Sequence, residues 1–184
     1  MRQKTETMLC VAFMELLKKC PFSKITIQKL AGQCGVNRQT FYYHFTDIYD
    51  LVEWICLEDA DKALANNKTY DTWQLGFLAI FELLKKDEVF IKNIYKNVSL
   101  ELLINYLYKL VYPLIYGVVE EKAQGLHVSD DDKEFIANFY KSAFVALVLD
   151  WIKNDLKDDP KMIISRLSVL IEGTVLNALK NFSK

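Results

Sequence analysis

Thr26-Ile27-Gln28-Lys29-Leu30-Ala31-Gly32-Gln33-Cys34-Gly35-Val36-Asn37-Arg38-Gln39-Thr40-Phe41-Tyr42-Tyr43-His44-Phe45 is the stretch whose spacing decides the fold of this 184-residue chain. Thr26 stands just before Ile27, Leu30 and Ala31, where a hydroxyl satisfies a free N–H at a helix start. Gly35 is placed to take the positive φ of a tight reversal. Asn37 then caps a second short segment that runs through Phe45. Two short helices separated by Cys34-Gly35-Val36 make a helix-turn-helix. Ala31 falls at the crossing, small enough to let the helices approach, while Val36, Phe41 and Phe45 share the face that packs down. Arg38 and Tyr42, and Gln39 and Tyr43, are i, i+4 neighbours on the opposite face. Folding gives a surface helix no reason to gather these four side chains. The DNA major groove does: Arg pairs bidentately with guanine and Gln with adenine, each pair discriminating by about 1–3 kcal/mol. Tyrosine hydroxyls and Thr40 can bond phosphate oxygens, which fix orientation without reading sequence, and Thr26 can do the same at a helix start.

Working outward, charge supports that assignment. The formal net charge is only −1, but residues 1–46 carry seven basic and two acidic side chains, a balance of +5, and the remainder sums to −6. Such a split points to a basic module for an anionic partner joined to a module with another task. A plain helical hairpin with its tyrosines buried elsewhere in the chain is the plainer alternative. The basic balance and the outward polar set weigh against it.

The run Val36-Asn37-Arg38-Gln39-Thr40-Phe41-Tyr42-Tyr43-His44-Phe45, followed by Leu51, resembles the signature of the TetR family of bacterial transcriptional regulators. The resemblance is specific from Thr5 to Ile55 and architectural beyond; it extends to the branch that includes dihydroxyacetone-kinase operon regulators. It implies an all-α homodimer whose first three helices bind DNA and whose remaining helices bind an effector and dimerise. By position it assigns DNA contacts to Thr26, Arg38, Gln39, Thr40, Tyr42, Tyr43 and His44. From the residues alone His44 divides evenly between a half-buried capping side chain and a phosphate contact; the resemblance favours DNA. One departure stands out: many members have a lysine near the start of the fourth helix, where this sequence has Ile48.

Six glycines and three prolines come to about 5% of the chain, against about 12% in ordinary composition, so turns are few and elements long. With 52% hydrophobic and 26% charged residues the chain supports a proper core. No Asn-Gly, Asp-Gly or Gly-Gly pair marks a hairpin. The expected architecture is all-α. Met8, Leu9, Ala12, Phe13, Leu16 and Leu17 form the apolar stripe of a first helix. Later starts fall at Thr46-Asp47, Asp71, Asp87, Ser99, Ser129 and Asp159-Pro160, giving about nine helices. Pro113 should break or kink the helix from Ser99 to Lys122. The expected division is a DNA-binding domain at 1–46 and an effector-binding and dimerisation domain at 47–184, joined by a helix at 47–66.

From Thr72 onward the chain is rich in aromatics at helical spacing, a pattern that usually means core but also suits a ligand pocket between helices. Tyr112, Tyr116, Phe139 and Asp150 are the candidate effector residues, Asp150 because it ends the apolar run Ala143–Leu149. A surface acid is the commoner outcome for such a position. The last two helices, near 129–155 and 160–182, are apolar on more than one face, which suits a two-fold pairing of subunits. Cys10, Cys20, Cys34 and Cys56 form no C-x-x-C pair, so neither a zinc site nor another cofactor is expected. The longest apolar run is far below the roughly 18 residues of a membrane span, and the start lacks a signal-peptide layout; a cytoplasmic protein with reduced thiols is expected. Gly-rich phosphate loops, G-x-S-x-G and H-E-x-x-H are missing from the sequence, and an enzyme is not expected. The expected function is operator binding modulated by an effector. Signalling through a protein partner, or a helical interaction module without DNA binding, are the alternatives.

Overall fold

The computed structural model describes residues 2–64 and 72–183, which form ten α-helices and one 3-10 turn. The expected cap at Asp71 and the end of the expected 47–66 helix lie outside the described residues. The all-α expectation is met, and helices begin just after the expected Thr26, Asn37, Asp47, Asp87, Ser99, Ser129 and Asp159.

Helix α1 (Arg2–Lys19) is followed by a 3-10 turn at Phe22–Lys24, then α2 (Ile27–Gln33) and α3 (Arg38–His44). Leu9, Phe13 and Leu16 of α1 are buried with Leu30, Ala31, Phe41 and Phe45, and this packing is continuous with the core of the rest of the chain. Phe13 meets Phe22 edge-on, ring centroids 6.0 Å apart. Thr26 Oγ1 accepts from Lys29 N at 3.2 Å and Asn37 Oδ1 from Thr40 N at 2.8 Å, as the sequence requires of two caps. Between them Gly35 has φ 69°, the left-handed turn that lets α3 cross α2.

The next helix, α4 (Ile48–Leu64), begins immediately after α3. Asp47 Oδ1 accepts from Asp50 N at 2.9 Å, and Asp50 Oδ2 accepts from Thr46 N at 2.8 Å. Reciprocal bonds of this kind fix the angle at which a helix starts. The body comprises α5 (Trp73–Lys86), α6 (Glu88–Asn97), α7 (Leu100–Ala123), α8 (Asp130–Lys153), α9 (Pro160–Ile171) and α10 (Thr174–Phe182). Ser99, Ser129 and Asp159 cap α7, α8 and α9 through their side chains. The most extensive helix pair is α7 with α8. Phe77 stacks on Phe144 at 3.8 Å, and Phe81 meets Trp151 edge-on at 4.9 Å, so these aromatics are core. The basic head also touches the body directly: α1 and the 3-10 turn pack on α6, with Phe13 and Phe90 rings 6.4 Å apart.

Two expectations need correction. Of the expected break or kink at Pro113 the break does not occur: α7 is one helix from Leu100 to Ala123 with the proline inside it and exposed. The expected helix from 160 to 182 divides in two at Gly173, φ 72°. Over 18-residue windows α7, α8 and the α9–α10 run are each long and apolar enough to match a membrane span by length and composition. Half of that window is buried in α7, 39% in α8 and only 22% in α9–α10. Apolar surface is therefore left uncovered at the C-terminal end of the fold.

Candidate nucleic-acid interface

Phe41 is fully buried and Phe45 nearly so, and their rings, 5.7 Å apart, continue onto Trp54 of α4 at 6.0 Å. This aromatic row anchors α3 by one face and exposes the other. Arg38, Gln39, Tyr42 and Tyr43 are all exposed, Tyr43 by 76%. Arg38 Nη2 donates to Tyr42 Oη at 3.3 Å, and the guanidinium carbon lies 5.9 Å from the Tyr42 ring centroid. Tyr42 thus holds the arginine fork in a limited set of positions before anything binds. Thr26 is exposed at the start of α2.

Besides Thr26, whose Oγ1 caps α2, two further expected contact residues are held by neighbours outside the exposed row. Thr40 is half-buried, and its hydroxyl donates to Asn37 Oδ1 at 3.1 Å. His44 is turned inward: its side chain is 5% exposed, with Nδ1 3.3 Å from Oε1 of Glu6 on α1. The packed alternative describes His44 better than an outward phosphate contact, because the helix turn that exposes Tyr43 carries residue 44 toward α1. Ile48 is half-buried against the core. The first turn of α4 is capped by Asp47 and Asp50, whose carboxylates would repel a phosphate.

The model for bacterial regulatory proteins of the tetR family matches residues 11–55, and that for the transcriptional regulator C-terminal region TetR_C_8 matches residues 71–173. The chain belongs to the TetR family. It is a transcriptional regulator and not an enzyme. It is similar to the HTH-type dhaKLM operon transcriptional activator DhaS of Lactococcus lactis subsp. lactis (strain IL1403), 27% identical over 154 residues that span 80% of this chain and 79% of the relative. Among solved structures it resembles the dihydroxyacetone kinase operon activator DhaS, with a TM-score of 0.68, 21% identity and 98% of each chain covered. It also resembles the TetR family repressor AlkX from Dietzia sp. strain DQ12-45-1b, with a TM-score of 0.56, 15% identity, and 94% of this chain and 98% of that one covered. The resemblance to dihydroxyacetone-kinase operon regulators drawn from α3 is thus found again over most of the chain.

The body of this TetR-family protein does not bring the four candidate effector residues together. Phe139 is 65% exposed and edges an apolar groove of about 420 Å³ between α5, α7, α8, α9 and α10. Tyr112 and Tyr116 line neither that groove nor the smaller internal cavity; they stack on each other at 5.5 Å, with Lys141 Nζ 5.4 Å from the Tyr112 ring. Asp150 is exposed, because it continues the outer row of α8 through Phe139, Ala143 and Ala146 and not the row that packs on α7. The internal cavity, about 70 Å³, lies between α1, α4, α5, α6, α7 and α8, with Met14, Ile55, Leu107 and Ile152 in its wall. Tyr106 also lines it and sends its hydroxyl to the Tyr49 carbonyl of α4 at 3.1 Å. Lys109 of α7 pairs with Glu53, one turn further along α4. Sequence spacing contains no signal for these ties, whose partners are 57 and 56 residues apart.

Proposed function

We propose that two copies of the chain bind a palindromic operator through α3, with Arg38, Gln39, Tyr42 and Tyr43 at base edges and backbone, and with Thr26 and Thr40 on phosphates. The carrying observation is the outward row of α3: four donors and aromatics held on a helix whose other face is locked into the core. Thr40 reaches phosphate by rotating its hydroxyl away from Asn37. The division at residue 46 follows the same logic: the basic module holds the DNA-reading helix, and residues 47–184 pair the subunits.

Pairing uses the uncovered apolar face. On α8, Phe135, Phe139 and Leu147 are 65%, 65% and 41% exposed; on α9, Met162, Val169 and Leu170 are 55%, 76% and 72% exposed. Monomers rarely leave so contiguous a patch in water, and a two-fold axis through it buries the same surface on both subunits. It also holds two α3 helices at the separation that half-sites one or more DNA turns apart require.

Control is exerted through the body, where a signal that favours one separation of the two heads changes operator affinity. A tenfold change needs only about 1.4 kcal/mol of differential binding. The internal cavity of about 70 Å³ is small beside the roughly 300–1,000 Å³ of ordinary ligand pockets, but the apolar groove of about 420 Å³ edged by Phe139 falls within that range, which supports a small-molecule effector as the signal, with a protein partner as the alternative. Native mass spectrometry of the purified protein separates the two: a bound small molecule supports one, a stoichiometric protein the other. Operator binding places the protein in the cytoplasm with its DNA. The DhaS relative is named as an activator of a dhaKLM operon, so promoters of dihydroxyacetone kinase genes and of the protein's own gene are the first to footprint. A protected two-fold symmetric site supports the proposal, and unprotected promoters contradict it.

A further inference from the structure

We propose that Tyr106 is a positioning residue for operator recognition: from the wall of the internal cavity it fixes the register of α4 against α7, and so sets where α3 stands relative to the body. This rests on the operator-binding proposal above. Tyr106 is 5% exposed and its hydroxyl donates to the Tyr49 carbonyl in the first turn of α4 at 3.1 Å. The Lys109–Glu53 pair repeats the tie one turn on, so α7 grips α4 at two successive points and opposes both sliding and rotation.

That grip is transmitted to the DNA-reading helix by rigid connections. Thr46 and Asp47 join α3 to α4 without slack, through the Asp47–Asp50 and Thr46–Asp50 bonds. The Phe41–Phe45–Trp54 row packs the two helices together. The Tyr49 ring lies on Phe22, centroids 5.9 Å apart, and Phe22 lies on Phe13 of α1. A shift of Tyr106 therefore moves the first turn of α4 together with the whole head. Its ring shares the cavity wall with Met14 of α1 and Ile55 of α4. A change of packing in the cavity acts on both sides of the junction at once.

The test is titration of the full-length protein against palindromic duplexes whose half-site spacing differs by single base pairs. Each step moves one half-site by about 3.4 Å. Tyr106→Phe keeps the ring and removes only the bond; Lys109→Met loosens the second tie from an exposed position and decides the question if the first variant folds poorly. The expected result is that preference for the best spacing over its neighbours falls by about threefold or more in both variants, with non-specific DNA binding unchanged and helical content retained, while Tyr106→Phe lowers the thermal midpoint slightly through its lost buried hydrogen bond. Equal loss at every spacing, or an unchanged preference, overturns the proposal while leaving operator binding intact. A wild-type protein that prefers no palindrome overturns operator binding itself, and this proposal with it.

Discussion

At position 37 one amide oxygen accepts from both the backbone N–H and the hydroxyl of Thr40, so the cap that starts the recognition helix also holds one of its proposed phosphate-binding groups. Arg38 is placed differently: its guanidinium is steadied by the Tyr42 hydroxyl and ring. The two substitutions should therefore separate. Arg38→Ala relaxes base preference at one operator position, at a cost of about 1–3 kcal/mol against the preferred base. Thr40→Ala weakens all sequences alike; a panel of single-base operator variants distinguishes the two outcomes. Tyr106 gives a second residue-scale prediction. Burial first, and then the carboxylate of Glu53, push its hydroxyl above the ordinary value of 10.0. A raised folded value means that the unfolded chain ionises first, so stability is intact below pH 10 and falls as pH rises beyond it. Urea titrations should show a steeper loss above pH 10 for the wild-type protein than for Tyr106→Phe. His44 shows why a residue can be ambiguous in sequence: its partner Glu6 is 38 positions away, and only the crossing of α3 over α1 brings the two together.

Among the elements, the helix starts were the most legible feature, because a cap is a local bond between residues two or three apart, and Thr26, Asn37, Asp47, Ser99, Ser129 and Asp159 all make it, while Asp87 starts α6 without one. The break at Gly173, set by the glycine's φ of 72°, and the passage of α7 through the exposed Pro113 were not read from the sequence, whose apolar spacing runs on past both. A different limit applied to the body: which aromatic row faces in depends on how α7 and α8 are rotated, so Tyr112, Tyr116 and Asp150 could not be told from pocket residues. The helix-turn-helix makes a sharp prediction from two glycines three apart. Gly35→Ala places a Cβ in the left-handed region and costs about 1–2 kcal/mol. Gly32 lies inside α2 with nothing within 4 Å of an added Cβ, so Gly32→Ala stabilises by up to about 1 kcal/mol. Denaturant midpoints moving in opposite directions would verify the turn.

On the scale of the whole molecule, the near-zero net charge conceals a basic head and an acidic body, and the apolar rows of α8 and α9 stand exposed in a single chain, the face proposed above to pair two copies. Leu170→Glu sets a charge in the centre of that face without touching the subunit core, because Leu170 is 72% exposed in a single chain. Light scattering should show the molecular mass falling to that of one chain at micromolar concentration, with helical content retained. Operator affinity should fall with it, since each half-site is then bound alone.

The central claim, that α3 reads a palindromic operator, is tested most directly by fluorescence anisotropy with a duplex from upstream of the protein's own gene and a shuffled duplex of equal composition, across a series of salt concentrations. The structure predicts binding to the palindrome tighter by about a thousandfold or more, with affinity for both duplexes declining as salt rises. Equal, weak binding to the two duplexes without salt dependence would contradict it.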